Sequence, residues 1–105
     1  MLFHLEFTVN YSASMSQQDL FRIWIDEAKA ALGAKDAGVV KDLWKAAGMR
    51  KVFAVVEVDS ADVLDQISFD LPIMKEMGQH VDIKVTAIRR YEDFAADVGA
   101  RFEGG

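Results

Sequence analysis

The chain contains no cysteine and a single proline among its 105 residues. Without cysteine it can form neither a disulfide framework nor a thiolate site, so a reducing cytoplasm is the compartment we expect. The first residues lack a basic segment followed by a long apolar run, and no apolar stretch approaches the length of a membrane span. We therefore predict a cytoplasmic protein that is neither secreted nor bound to a membrane.

Basic residues are also scarce, with 12 Lys and Arg against 17 Asp and Glu and a formal net charge of −5. They are scattered along the chain, whereas nucleic-acid binding depends on a dense cationic surface, so a nucleic-acid partner is disfavoured. One or two cationic side chains in a pocket can still bind an anionic small molecule. Two histidines and no cysteine offer few ligands for a zinc site, and we predict no metal.

Residues 2–10 alternate strictly between apolar and polar side chains. The apolar set is Phe3, Leu5, Phe7 and Val9, and the polar set is His4, Glu6, Thr8 and Asn10. Successive side chains of a strand point to opposite faces, so the pattern predicts a strand with one face ready for a core. The opposite face carries an acid/base pair, His4 and Glu6, which is more typical of a pocket than of a plain surface.

Downstream of this strand, the chain alternates between helical and strand patterns. Ser16 and Asp19 form a capping-box pattern that predicts the start of a helix, and Gly33 is its predicted end. The predicted segments are a helix at residues 17–32, a weak strand at 39–47, a strand at 51–58, a helix that begins after Ser60 and is interrupted at Pro72, and a strand at 81–89.

This order, β, α, β, β, α, β, is typical of the ferredoxin-like α+β fold. We predict a four-stranded antiparallel sheet with two helices on one face, formed by residues 1–90 as a single domain. The other face of the sheet stays open unless another segment or another subunit covers it.

The C-terminal tail, residues 91–105, carries large apolar side chains at roughly helical spacing: Tyr91, Phe94, Val98 and Phe102. An isolated amphipathic tail is marginally stable in water, so these side chains need a surface. We predict that the tail packs on a neighbouring subunit or folds back over the open face, and that the chain is a homo-oligomer. The alternative is a frayed helix on its own domain.

The residue types that remain support acid/base chemistry, because carboxylates and histidines pass protons when a pocket tunes their pKa values. The candidates are Glu27 on the first helix, His4 and Glu6 on the first strand, and Arg50 and Lys51 at the hairpin as anchors for a substrate carboxylate. Each has a structural alternative. Glu27 can be a solvated helix residue, and Glu6 can face another subunit or pair with Lys84 across the sheet.

An ordered set of short motifs spans most of residues 1–90: Met1-Leu2-Phe3-His4, Thr8-Val9, Met15, Asp26-Glu27, Leu43-Trp44, Ala47-Gly48, Val58, Ser60, Leu71-Pro72, Asp82-Ile83 and Val85. In this order the motifs resemble those of the muconolactone isomerases, a small cytoplasmic enzyme family of bacterial aromatic catabolism. The resemblance implies a ferredoxin-like fold, no metal or organic cofactor, and rings of dimers, typically decamers, whose C-terminal segments reach over neighbouring subunits.

The resemblance also implies a reaction in which a base moves a ring double bond of an unsaturated lactone by taking one proton and returning another. By this resemblance Glu27 is the candidate catalytic base, and His4 is the next matching polar position. We predict that His4, Arg50, Glu6 and Lys51 bind the anionic substrate. We identify the chain as a divergent member, a cofactor-independent isomerase acting on a small unsaturated lactone or related acid.

Four residues depart from the family pattern. Met49-Arg50 stands where a His-Tyr pair is usual, Val52 replaces a polar residue, and Glu6 occupies a position where lysine is common. Our hypothesis is that Arg50 replaces these lost polar contacts by binding the carboxylate of the substrate. Two other interpretations stay open: a non-catalytic small-molecule-binding or assembly module, and a dimeric α+β barrel protein of the oxygenase-like kind. A ring of about ten subunits would favour the isomerase, and a simple dimer would favour the barrel.

Overall fold

A computed structural model describes residues 1–10 and 13–103 of the chain. Residues 104 and 105, at the end of the predicted tail, lie outside the described residues. The strands are β1 (Leu2–Val9), β2 (Val40–Lys45), β3 (Lys51–Glu57) and β4 (Val81–Ile88), and the α-helices are α1 (Gln17–Asp36), α2 (Ala61–Phe69), α3 (Pro72–Met77) and α4 (Tyr91–Phe102), with a 3₁₀ turn at Gly78–His80.

The four strands form one antiparallel sheet in the order β2-β3-β1-β4. The strand order and the helices agree with the predicted ferredoxin-like α+β fold, in which the first and third strands are central. Leu5 lies opposite Ala54 on β3 and opposite Val85 on β4, so these three side chains share one face of the sheet.

The alternation of β1 divides the molecule into a helix-covered face and an outer face. Phe3, Leu5 and Val9 are buried beneath the helices, as predicted. The core has two buried clusters: the first comprises Phe3, Leu5, Ala54, Val56 and Val58, and the second comprises Val9, Leu20, Ile73, Met77 and Val81. The second cluster joins α1 and α3 to one end of the sheet.

Helix α1 begins as predicted and ends later than predicted. The backbone N–H of Asp19 donates to the Ser16 hydroxyl at 3.1 Å, and the N–H of Ser16 donates to the Asp19 carboxylate at 3.3 Å, which completes a capping box. Gly33 does not end the helix but lies inside it, where a glycine is tolerated at a modest cost. The chain leaves the helix after Ala37, where Gly38 adopts a φ of +84°.

Strand β2 is shorter than predicted, and its weak alternation has a structural cause. The pairing with β3 shifts register between Val40 and Asp42. The β2–β3 hairpin contains Gly48 with a φ of +75°, a left-handed conformation that glycine adopts without steric cost. Pro72 occupies the first turn of α3, where its missing N–H breaks no helical hydrogen bond.

The tail forms the helix α4 and leaves its apolar side exposed. Tyr91 and Phe102 are 76% and 79% exposed, and Phe94 and Val98 are also exposed. Arg89 donates to Asp97 at 2.5 Å, which links α4 to the end of β4. The described part of the tail does not pack over the outer face of its own sheet. Its packing on a neighbouring subunit stays a prediction. Within residues 1–10 and 13–103, no helix has the length and apolar character to span a membrane.

Candidate active site

A cavity of about 670 Å³ lies between the helix-covered face of the sheet and the helices α1 and α2. This volume falls within the range of small-molecule sites. Apolar side chains from all four strands form most of its wall, among them Phe7, Leu43, Val52, Ala54, Ile83 and Val85, with Trp24, Ala28 and Ala31 contributed by α1. The described residues that add charge or a hydroxyl to this lining are Glu27, Lys45, Asp65 and Ser68.

Glu27 reaches this cavity because it lies on the buried side of α1, one turn after Trp24. Its carboxylate is half-buried, and its Oε2 atom accepts a hydrogen bond of 3.1 Å from the backbone N–H of Ile73. That N–H belongs to the first turn of α3 and has no partner within the helix. The carboxylate of α1 thus supplies the acceptor that α3 lacks at its start.

Burial raises the pKa of Glu27 above its ordinary value, and the hydrogen bond from Ile73 opposes part of this effect by stabilising the charged form. Among the described residues, no basic side chain forms an ion pair with Glu27. A carboxylate in an apolar wall without a cationic partner is suited to accept and return a proton.

His4 and Glu6, the acid/base pair predicted from β1, lie on the outer face of the sheet and do not line the cavity. The His4 ring stacks on Phe53, with 6.1 Å between the ring centroids. Glu6 pairs with Lys51 at 3.5 Å, although Lys84 lies directly opposite it on β4. The structure brings Glu6 and Lys51 together and separates both from Glu27.

Arg50 is exposed at the β2–β3 hairpin and is absent from the cavity wall. Its backbone carbonyl accepts a hydrogen bond of 2.9 Å from the N–H of Val9. Within one chain, none of the four predicted substrate-binding residues shares the cavity with Glu27. Their part in substrate binding stays a prediction.

Sequence reasoning missed Lys45, which lines the cavity. A signal for it was present, because Leu43 and Lys45 are two residues apart on a strand and therefore share a face. The weak alternation of this segment concealed the signal. Within the part of the chain that the structure describes, no group of three or more His, Asp or Glu side chains is placed to hold a metal ion.

The fold and the cavity define a ferredoxin-like α+β protein with a partly buried acid in the wall of an apolar site. A family model described as muconolactone delta-isomerase matches residues 1–93. The chain belongs to the muconolactone delta-isomerase family.

Individual relatives agree with this assignment. The chain is 32% identical over 91 residues to Muconolactone Delta-isomerase 2 of Acinetobacter lwoffii, covering 87% of this chain and 91% of that one. It is 28% identical over 82 residues to the Muconolactone Delta-isomerase of Pseudomonas putida, covering 78% and 85%. A crystal structure of muconolactone isomerase superposes with a TM-score of 0.71 at 28% identity, covering 86% of this chain and 90% of that one.

Proposed function

We propose that the chain is a cofactor-independent isomerase of aromatic-compound catabolism that moves a double bond in a small unsaturated lactone or related acid. The observation that carries this proposal is the position of Glu27, a carboxylate with a raised pKa in the wall of an apolar cavity. The named relatives support the same class of reaction.

The proposed chemistry needs one base and two proton transfers. The Glu27 carboxylate removes the proton from the γ carbon of the lactone ring, and the electron pair of that bond moves into a dienolate. The resulting carboxylic acid then returns a proton to the α carbon, so the double bond has moved and the base is regenerated. A carboxylate with a raised pKa suits both steps, because proton transfer is most effective when the pKa of the base approaches the working pH.

The hydrogen bond from Ile73 gives the carboxylate a fixed orientation. Oε2 accepts the N–H of Ile73, which leaves Oε1 as the oxygen available to the substrate. A base held in place by the backbone loses little freedom when the substrate binds, and such positioning contributes to the rate.

The test of this proposal is the replacement Glu27→Gln, which keeps the size of the side chain and removes the base. We expect turnover of muconolactone or a related butenolide acid to fall by about 10²- to 10⁴-fold, the usual contribution of a general base. The matched control is Asp26→Asn, an exposed neighbour outside the cavity, which should retain activity.

Two outcomes would contradict the proposal. Unchanged turnover in Glu27→Gln would exclude Glu27 as the base. A native chain that isomerises no butenolide but binds another ligand tightly would support the binding-module alternative.

The exposed apolar side of α4 supports a further part of the proposal, namely that the enzyme is a homo-oligomer. Four large apolar side chains on a terminal helix form a patch of the kind that mediates protein contacts. We propose that α4 packs on a neighbouring subunit in a ring built from dimers, with about ten subunits as the expected size.

A further inference from the structure

Lys45 occupies the last position of β2, on the same side of the sheet as the cavity. In the register of β2 and β3, Leu43 lies opposite Ala54 and Lys45 lies opposite Val52. Val52 and Ala54 both line the cavity, so the Lys45 side chain extends along the cavity side. Among the described residues, Lys45 contributes the one basic side chain of the lining, and it is exposed at the mouth.

The Lys45 ammonium group is held in place by the hairpin. Its Nζ donates to the backbone carbonyl of Ala46 at 2.9 Å and to that of Met49. It also lies 5.9 Å from the centroid of the Trp24 ring, within the range of a cation–π contact. An ammonium group has three N–H donors, so these two carbonyls leave one for a ligand. Among the described residues, no carboxylate forms an ion pair with it.

Trp24 connects Lys45 to the candidate base. Trp24 and Glu27 are three residues apart on α1, so their side chains are neighbours on one face of the helix. Both line the cavity, and the Lys45 ammonium lies beside the Trp24 ring. A small acid whose ring lies against Glu27 can therefore direct its carboxylate past Trp24 towards the ammonium group at the mouth.

We propose that Lys45 anchors the substrate carboxylate, in the role that the sequence suggested for Arg50 and Lys51. Lys51 is paired with Glu6 on the outer face, and Arg50 does not line the cavity. This inference rests on the proposed function, because it takes a lactone bearing a carboxylate as the substrate. A positioned ammonium group binds such a carboxylate through a charge-assisted hydrogen bond.

The test measures binding without turnover. The probe is γ-carboxymethyl-γ-butyrolactone, whose saturated ring has no double bond to move, together with its uncharged methyl ester. For Lys45→Met, calorimetry should show the Kd of the acid raised about tenfold, the loss of one hydrogen bond to a charged group, with the Kd of the ester unchanged. Lys41→Met on the same strand is the matched control and should bind both probes as the native chain does. Lys45→Arg should restore most of the affinity for the acid.

Trp24 provides a second, local readout. In a Trp44→Phe background, Trp24 is the sole tryptophan, and the acid should change its fluorescence more than the ester does. In turnover, Lys45→Met should raise KM with little change in kcat. A loss confined to kcat, or an equal loss for acid and ester, would overturn the proposal. So would a raised Kd for the acid in Lys51→Met with native affinity in Lys45→Met.

Failure of this inference is distinguishable from failure of the proposed function. If Glu27→Gln retains turnover while Lys45→Met selectively weakens binding of the acid, the base is misassigned and the anchor is supported. If Glu27→Gln loses turnover while Lys45→Met binds the acid as the native chain does, the reaction stands and the anchor is overturned.

Discussion

On the outer face of the sheet, Glu6 and Lys51 neutralise one another at 3.5 Å, whereas beneath the helices Glu27 has a backbone N–H as its partner. The two carboxylates belong to the same small domain but differ in what surrounds them. Glu27 is half-buried and forms no ion pair among the described residues, and burial shifts it towards its neutral form. The difference supports the proposal that Glu27, on the helix-covered face, is the group that transfers the proton.

The largest expected effect concerns stability, and it compares two adjacent residues of β1. Phe3 is 4% exposed in the core, and His4 is half-buried on the outer face. Phe3→Ala should reduce the free energy of unfolding by about 3–5 kcal/mol. His4→Ala should cost less than about 1 kcal/mol, as is usual for a surface position. Denaturant unfolding at several protein concentrations would measure both.

This comparison fails if His4→Ala costs as much as Phe3→Ala. That result would mean that the outer face is covered in the functional protein, either by a second subunit or by the C-terminal tail of a second subunit. A cost that grows at higher protein concentration would identify a subunit contact, since stability gained through association depends on concentration.

The next expected effect concerns assembly and α4. If the exposed apolar side of α4 packs on another subunit, the double variant Phe94→Ser with Phe102→Ser should lower the molar mass in solution several-fold. Light scattering coupled to size exclusion would measure it, starting from a chain of 11.7 kDa. Glu92→Gln, on the same helix, should keep the native mass. A native protein that is already monomeric, or a double variant of unchanged mass, would contradict the proposed contact.

The two faces of β1 could be predicted from the sequence because successive side chains of a strand point to opposite faces. The alternation of apolar and polar residues corresponds to the helix-covered face and the outer face in the structure. The hairpin and the N-terminal caps at Ser16 and Ser60 follow from equally local chemistry. The prediction that α1 ends at Gly33 was wrong. A glycine inside a helix costs only a modest amount of stability, which the packing of the helix against the sheet offsets.

The site is less predictable because its geometry depends on distant parts of the chain. The hydrogen bond between Glu27 and Ile73 joins residues that are 46 positions apart. No local pattern shows that the start of α3 will meet the middle of α1. Lys45 also escaped prediction, because its face is defined by its register with Val52 across an irregular strand pair.

The smallest expected effect is a pH dependence of stability that originates at Glu27, on the helix-covered face. Since burial raises the pKa of Glu27, the folded chain holds that proton more tightly than the unfolded chain does. The ordinary pKa of this carboxyl group is 4.5. As pH rises from that value through the pKa of Glu27 in the folded chain, ionisation of Glu27 lowers the free energy of unfolding, and above the folded pKa the loss is constant. The Glu27→Gln variant has no carboxyl group that ionises at this position. Its melting temperature minus that of the native chain, measured at the same pH, should therefore increase across this pH range.

Below the ordinary pKa the carboxyl group is protonated in both the folded and the unfolded chain, so there the two proteins should respond to pH in the same way. Thermal unfolding from acid to neutral pH provides this internal reference. A relative melting temperature that instead decreases as pH rises would show that the ionised carboxylate is the favoured form. In that case the hydrogen bond from Ile73 would outweigh burial, and Glu27 would not be a base ready to take a proton.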